Sequence, residues 1–481
     1  GAVKNKQNLS NEILLLKARE RVYKNVEYNR LNNRVTYRDV YHQVTKKRRI
    51  WPVRKLISNY PREVFDLVPC WMASPESASA IFPMDKIFDL VIFDEASQCF
   101  AENGLPAMYR GKQVVVAGDE KQLRPNDLYK VRWEDENEEE IPDLDFDSLL
   151  NLSSQYLMQV HLNGHYRSKT LDLITFSNEH FYNNSLQLLP DFTVINNGKP
   201  GIEYIKCDGI WENNINKNEA YEVCRIVRGL LKEDPQREIG IVTFNVRQQL
   251  FIMDELEAFS LEENIVIPDS LIVKNIENIQ GDEKDIIIFS ILYAPDKAGK
   301  MNMNFGSLNV MGGENRLNVA VTRAKEKVIV VSSIFPQQLK IDATKNEGPK
   351  LLKKYLEYAQ MVSNGEFRIN PVEEKRFSPS WYLKNKIKKF QYANPDWTLD
   401  TSLPFVDLSI KEKNEYRGAI FTDDDLYFDS VSIKETHVYK PFTLSHKNWK
   451  FMALTSRAYW QDPEGMKSKI ENLFLKTKED Q

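Results

Sequence analysis

From about residue 88 onward, short apolar, β-branched runs alternate with longer amphipathic stretches. The runs cover 88–93, 113–117, 238–244, 270–274, 285–291 and 327–332. They are near-continuous rather than alternating, as strands are when a parallel sheet is covered by helices on both faces. The pattern predicts an α/β architecture in two units, with a divide near residues 190–215. Ahead of it, 8–28 sets Ile13, Leu14, Leu16, Ala18, Val22 and Val26 among charges with loose helical periodicity. Beyond about residue 345 the pattern weakens. There 350–360 reads as a helix, 364–379 as a linker, and 380–481 as a third unit with strands expected near 405–410 and 416–421. No internal repeat or low-complexity tract interrupts this plan.

Composition narrows the class. A chain of 481 residues suits about three domains at roughly 150 residues each. With 42% hydrophobic and 28% charged residues it is an ordinary globular sequence, which excludes disordered and collagen-like chains. Its longest apolar runs, such as 328–331, fall far short of the roughly 20 residues of a membrane helix, so no membrane partner is expected. The four cysteines, Cys70, Cys99, Cys207 and Cys224, form no two-residue pair and no disulfide framework, which fits a reducing, cytoplasmic compartment.

The net charge of −4 conceals two local imbalances. Residues 1–55 hold 15 Lys/Arg against 4 Asp/Glu, including the run Lys46, Lys47, Arg48 and Arg49. That stretch reads either as a solvated helical arm or as a nucleic-acid-facing surface, since clustered cations release counterions from phosphates. Residues 134–147 hold 9 acidic residues and no basic one, and read as a solvated loop.

Five constellations carry chemistry. The run 90–93 ends in Asp94-Glu95-Ala96-Ser97-Gln98. Two carboxylates just past a buried parallel strand can hold Mg²⁺ and orient an attacking water. The run 114–117 ends in Gly118-Asp119-Glu120-Lys121-Gln122-Leu123-Arg124-Pro125, where a glutamine can sense a phosphate. The others are His165-Tyr166-Arg167-Ser168, Gln280-Gly281-Asp282-Glu283-Lys284-Asp285, and 316–325 with Thr322-Arg323. An arginine brought to a phosphate stabilises phosphoryl transfer by about 10³–10⁵ in rate. Singly, each has a plain alternative as a strand end, a polar turn or a surface cation.

In this order the segments DEASQ, GDEKQLRP, HYRS, QGDEKD and RLNVAVTRAK resemble motifs II to VI of superfamily 1 helicases, over about residues 45–345. The subclass resembled is the DEAxQ group related to the nonsense-mediated-decay helicase. A closer likeness is to large bacterial helicases with an FDLVIFDEASQ strand, as at 88–98. The resemblance implies two RecA-like P-loop NTPase domains, with ATP and Mg²⁺ as cofactors. It implies Asp94 for Mg²⁺, Glu95 as catalytic base, Gln98 and Gln122 at the γ-phosphate, Arg167 and Arg323 as arginine fingers, and Glu283 near the ribose. Ser74 matches a position that touches nucleic-acid backbone, or it is simply a helix N-cap ahead of Glu76.

One element is missing. No GxxxxGK[ST] P-loop occurs; Gly111-Lys112-Gln113 and Gly198-Lys199-Pro200 lack the rest of it. Together with Gly1 in first place, this leads us to expect the C-terminal part of a larger helicase, with the missing upstream part as its partner. The first RecA-like domain (51–190) is then expected to be incomplete. Its strand edge would be either left partial or covered by residues 1–50 or a second chain, since a bare apolar edge is an aggregation hazard. The second domain is expected at 191–345, followed by a helix and linker at 346–379.

In the third unit, Ser378-Pro379, Phe405-Val406-Asp407-Leu408, Tyr416-Arg417-Gly418, Asn448-Trp449-Lys450 and Trp460-Gln461-Asp462-Pro463 resemble a very-short-patch-repair-type endonuclease module of the PD-(D/E)xK fold. Asp407 matches the first metal-binding acid. The glutamate position of the next strand is apolar, which points to a degenerate site, with Asp423, Asp424 or Asp425 as a shifted alternative. The resemblance as a whole implies an ATP-dependent 5′-to-3′-type translocase on single-stranded nucleic acid, DNA ahead of RNA. The rival readings are a non-catalytic nucleic-acid-binding module and a Mg²⁺-dependent nuclease.

Overall fold

The computed structural model describes residues 2–32, 34–125, 148–263, 265–301, 304–310, 312–339, 341, 344–368, 375–413, 415–430 and 432–475. The acidic run 134–147 and part of the expected linker, 369–374, lie outside them. The chain divides into two compact units. The first comprises 1–120 and 124–159; the second comprises 121–123 and 160–481.

The first unit opens with helices α1 (Ala2–Asn32) and α2 (Arg34–Thr45), followed by α3 (Val53–Asn59), α4 (Pro61–Leu67) and α5 (Pro75–Ile81). Strand β1 (Phe88–Phe93), α6 (Ala101–Tyr109), β2 (Gly111–Val116) and α7 (Leu149–Tyr156) complete it. β1 and β2 run parallel, Leu90 opposite Gln113 and Ile92 opposite Val115, and among the described residues they form a two-stranded sheet. Val91, Phe93, Val114 and Val116 pack against Ala107, Leu149 and Leu150 on one face. The opposite face is bare, with Leu90 46%, Ile92 63% and Val115 49% exposed. Within this unit α1 and α2 pack on α4.

The second unit contains a short parallel pair, β3 (Gly164–His165) with β4 (Gln187–Leu188), bracketing α8 (Asp172–His180). α9 (Phe192–Ile195) leads into a five-stranded, all-parallel sheet in the order β5-β9-β8-β6-β7. Its strands are β5 (Ile202–Lys206), β6 (Ile239–Thr243), β7 (Ile272–Asn275), β8 (Lys284–Ser290) and β9 (Ala324–Ser332). Alternate residues feed two separate cores. Ile239, Ile241, Ile286, Ile288, Ile329 and Val331 meet α10 (Lys217–Glu233) and α11 (Val246–Glu263). Val242, Ile287, Phe289, Val328 and Val330 meet α8, α12 (Gly313–Val321) and α13 (Glu347–Ser363). Both faces are covered, as continuous apolar strands require.

The expected divide at 190–215 is corrected to 159/160, so the HYRS segment belongs with the second unit rather than the first. Packing decides this. Leu173 and Phe176 on α8 join the core of β9, and the Phe176 ring lies 5.1 Å from Tyr355 and 5.6 Å from Tyr358 on α13.

The C-terminal module belongs to the same unit. It has a mixed sheet in the order β10 (Trp397–Asp400), β11 (Leu408–Glu412), β12 (Glu415–Phe421), β13 (Phe451–Ala453), with β12 and β13 parallel. Around it lie α14 (Leu383–Ile387), α15 (Asp425–Phe428), α16 (Lys440–His446), α17 (Ser456–Gln461) and α18 (Pro463–Phe474). One core runs without a break from Leu171, Ile174 and Leu188 to Leu403, Val406, Tyr416, Leu444 and Trp449. Trp449 donates Nε1–H to Pro190 O at 2.9 Å, and Asn196 pairs through its amide with both Tyr416 N (2.7 Å) and Tyr416 O (3.0 Å).

A buried acid closes the carboxyl end of the five-stranded sheet. Asn216 caps α10, accepting from Glu219 N at 3.2 Å. The fully buried Glu219 carboxyl accepts from Leu292 N, from Ser290 Oγ (2.9 Å) and from Ser333 Oγ (2.9 Å). Burial pushes it up to about 7, against the lowering effect of those donors. The folded state thus holds this proton more tightly than the unfolded chain, whose glutamates titrate near ~4.3. The stability it contributes is complete below that value and is lost as pH rises through about 7. Glu219→Gln is therefore expected to flatten the fall in Tm between pH 5 and pH 8. Parallel wild-type and variant melting curves across that range test it, and equal slopes would refute it.

Candidate nucleotide and nucleic-acid sites

The first site residues follow directly from strand β1. Its hydrogen bonding to the β2 chain continues past the strand ends, with Ala117 N donating to Phe93 O (2.8 Å) and Ala96 N to Ala117 O (2.9 Å). Between these bonds Glu95 takes a left-handed conformation, φ 52° and ψ 39°. A residue with a Cβ sits there at a cost of about 1 kcal/mol or more, and such strain gathers at functional sites. The kink starts a 3₁₀ turn, Ala96–Gln98, that brings Gln98 Nε2 to 3.4 Å from Glu95 Oε2. Gly118 lies close behind this turn. A Cβ there would stand 3.0 Å from Ser97 N and 3.2 Å from Ala96 N, so the two motifs pack closely at a position where glycine leaves the backbone room.

Asp94 and Glu95 are exposed and Gln98 is half-buried. All three line a groove of about 630 Å³ that runs along β1 past Leu90, Ile92, Trp71 and Met72. Asp94 accepts from Glu95 N at 3.0 Å and keeps its carboxylate open to the groove. A hydrated Mg²⁺ held by one carboxylate and by substrate phosphates fits such a donor. Its chemistry would be to neutralise phosphate charge.

Gln122 sits in the three-residue stretch that belongs to the second unit. Asn315 and Asn318, three apart on α12, donate side-chain amides to Gln122 O (3.0 Å) and Lys121 O (2.8 Å). Gln280 Oε1 accepts from Leu123 N at 3.3 Å. Three of the sequence constellations are thereby joined through backbone groups, which no motif spelling reveals.

The remaining phosphate-directed candidates meet at the amino ends of β8 and β9. Arg167 donates Nε–H to Glu283 Oε2 at 2.9 Å and Nη1–H to Thr322 O at 3.1 Å. Arg323 donates to Val319 O (2.7 Å) and to Thr322 Oγ1 (3.4 Å), and is 4% exposed. The Arg167 guanidinium beside Glu283 holds its carboxyl below the usual range. Arg167, Glu283 and Arg323 thus form one cluster around Thr322. The sequence placed Glu283 near a ribose. In this structure its carboxylate engages Arg167 and, at 3.7 Å, Lys325.

Ser74 takes the structural alternative. Its Oγ accepts from Ser77 N at 3.2 Å and caps α5. Lys46, Lys47, Arg48 and Arg49 follow α2, and the last three are exposed. The sequence reading overlooked Trp51 beside them. Its ring stacks on Tyr60 at 6.5 Å with Lys55 Nζ 4.3 Å and Lys46 Nζ 5.8 Å from its centroid. Lysines interleaved with stacked rings make a surface suited to single-stranded nucleic acid.

In the C-terminal module the acids serve structure. Asp407 is 4% exposed, accepts from Thr422 N at 2.8 Å, and faces a cavity of only about 10 Å³. Burial pushes its carboxyl up to about 7. The strand position expected to carry the second acid holds Ile420, fully buried in the module's core. Asp424 accepts from Leu383 N and Lys384 N (both 2.9 Å) and from Thr422 Oγ1 (2.8 Å), capping α14. Asp423 accepts from Ser456 N at 2.8 Å at the start of α17, and Asp425 from Tyr382 Oη at 2.8 Å. Among the described residues no three His, Cys, Asp or Glu side chains converge as a metal site. Asp407 is thus buried against a backbone amide, while Asp423, Asp424 and Asp425 hold helix starts and a tyrosine. Asp424→Ala should lower stability by about 2 kcal/mol through loss of a cap and a charged acceptor. Denaturant unfolding measures this, and a variant as stable as wild type would contradict it.

Comparison with known proteins gives two family matches. Residues 4–126 and residues 146–334 each match a family described as an AAA domain. An ATP-dependent helicase of Mycoplasma pneumoniae is 29% identical over 462 residues, 88% of this chain and 40% of that protein. Its counterpart in Mycoplasma genitalium is 28% identical over 459 residues, with the same coverage. The ATP-dependent helicase NAM7 of Saccharomyces cerevisiae is 26% identical over 270 residues, 52% of this chain and 26% of that protein. The chain spans about two-fifths of the length of the two mycoplasma relatives. No helix among the described residues is long and apolar enough to cross a membrane.

Proposed function

We propose that this chain, a superfamily 1 helicase sequence by its two AAA-domain matches and its helicase relatives, couples ATP hydrolysis to movement along single-stranded nucleic acid. The observation that carries this reading is Asp94, Glu95 and Gln98 gathered on an open groove at the carboxyl end of a parallel strand. In that reading Asp94 holds the metal, Glu95 takes the proton of the attacking water, and Gln98 and Gln122 register the γ-phosphate. Arg167 and Arg323 compensate charge as the phosphoryl group transfers. Glu283 keeps Arg167 oriented until a phosphate competes for it.

The reading also requires a phosphate cradle, which this sequence lacks. We assign it to a further parallel strand and P-loop beside β1, from an upstream part of the same protein. The bare Leu90, Ile92 and Val115 face and the unpaired side of β1 support that assignment. The track for the strand is the exposed turn of Lys47, Arg48 and Arg49 with Trp51 and Lys55. Such binding tolerates sequence and weakens with salt. DNA is favoured over RNA because the C-terminal module resembles a DNA-repair nuclease.

Two assays test this. The 481-residue chain alone should show no ATP turnover, and a chain extended upstream through a P-loop should show turnover stimulated by single strands. Glu95→Gln in the extended chain should cut kcat by about 10²–10⁴. Turnover by the short chain that survives Glu95→Gln would overturn the assignment. Binding of a single-stranded oligonucleotide should weaken as salt rises, with a shallower slope after Arg48→Ala and Arg49→Ala. DNA and RNA oligonucleotides of one sequence, in competition, should rank DNA first.

A further inference from the structure

The C-terminal module reaches the turn that carries Arg167. Residues 165–168 fold tightly around the half-buried His165 ring. Ser168 N donates to His165 Nε2 at 3.1 Å, and Ser168 Oγ lies 2.9 Å from the same nitrogen. A ring nitrogen that accepts from an amide carries no proton, so His165 is neutral here. Burial pushes it down to about 4, and the charges of Arg167 and Lys447 add to the effect. Lys447 comes from the module, immediately after α16, and donates Nζ–H to Tyr166 O at 3.3 Å.

Lys447 is itself held firmly. Its N–H donates to Thr443 O at 3.0 Å, and its C=O accepts from Phe192 N at 3.1 Å in the first turn of α9. Two residues on, Trp449 is 4% exposed and anchored to Pro190 O. The ammonium therefore projects from a segment docked by backbone and by a buried indole. On the α/β side the turn is tied by Lys169 N to Lys325 O (2.8 Å) and by Gln187 N to Asn163 O (2.7 Å). Those ties lie on either side of it. The peptide between Tyr166 and Arg167 is fixed by Lys447 from the module and by the Arg167 side chain itself. The Tyr166 ring, 74% exposed, adds little restraint.

We propose that Lys447 is a positioning residue for Arg167: it pins the Tyr166 carbonyl and so sets the direction in which Arg167 leaves the turn. On this account the module is a buttress for the phosphate-directed arginine. The consequence for catalysis rests on the reading of Arg167 given above, but the positioning itself does not. If the ammonium is removed, the 166–167 peptide gains rotational freedom and Arg167 divides its time between Glu283 and other directions.

The test uses the 481-residue chain without nucleotide. Lys447→Met should speed amide hydrogen exchange at 166–168 by about tenfold, the effect of losing one charge-assisted bond, with exchange in β6, β8 and β9 unchanged. The Arg167 Nε–H resonance in an arginine-labelled sample, assigned by its disappearance in Arg167→Lys, should shift or broaden. Lys447→Arg, which keeps a cationic donor, should restore both. Should Lys447→Met fail to fold, Lys447→Gln offers a weaker donor on a shorter stem and should give an intermediate increase. Exchange at 166–168 within twofold of wild type, or a rise shared evenly by the whole unit, overturns the proposal. Because no ATP is involved, those outcomes leave the ATPase reading standing. An absence of turnover in the extended chain leaves Lys447 in its positioning role.

Discussion

A parallel strand buries both faces or it remains exposed to aggregation, and the two units meet this constraint to different degrees. In the five-stranded sheet, β8 and β9 are central, and alternate residues of each enter separate cores above and below. Everything that orients the second unit's chemistry hangs from these two strands. Glu283 precedes β8, Arg323 precedes β9, and Ser290 and Ser333 close their far ends around Glu219. The two-stranded sheet of the first unit is covered on one face only. Its chemistry stands at the end of β1, beside the groove that the uncovered side leaves.

Charge is arranged with the same economy of contacts. Two guanidiniums in one cluster would repel and, in the case of Arg323, would face the desolvation cost of a site only 4% exposed. The structure offsets this with carbonyls at a helix end: Val319 O takes Arg323 and Thr322 O takes Arg167. Carbonyls at the last turn of α12 carry the negative end of the helix dipole, which suits cations. Glu283 supplies a full negative charge beside Arg167 and is itself 41% exposed. At β1 the signs are opposite. Asp94 and Glu95 are adjacent acids in an exposed position, where solvent screens their charges from each other.

Much of this was legible in the sequence, and the omissions have physical reasons. The interior strands β6, β8 and β9 announced themselves because burial on both faces demands unbroken apolar runs; β1, β2 and the edge strand β7 carry similar runs, although β1 and β2 are covered on one face only. β5, β10 and the three-residue β13 were missed, because β5 and β10 mix charged with apolar residues and β13 is too short to set a period. The divide was misplaced because α8 looks the same in sequence whichever core it joins; only Phe176 against Tyr355 and Tyr358 decides it. Candidate site residues, such as Asp94 or Arg167, are nominated by motif order. Their partners are not. Thr322 O, Gln280 on Leu123 N, and Trp51 between Lys46 and Lys55 are contacts made by backbone groups or by ordinary side chains, and such contacts leave no spelling.

The C-terminal module shows how one set of residue types can serve a different end. Three consecutive acids, Asp423, Asp424 and Asp425, suggest a metal site on paper. In the fold each points at a helix start or a tyrosine hydroxyl, because α14 and α17 begin beside the end of β12 and leave amides to be satisfied. A carboxylate that accepts two or three hydrogen bonds at a helix N-terminus has little capacity left for a cation. Ile420 fills with hydrocarbon the strand position at which the sequence resemblance would put a second carboxylate. The module also contributes an interface. Tyr416, Leu444 and Trp449 complete a core that Leu171, Ile174 and Leu188 could not close alone. Deleting the module would therefore strip apolar area from the ground on which α8 and the Arg167 turn stand, so the two parts behave as one folded body.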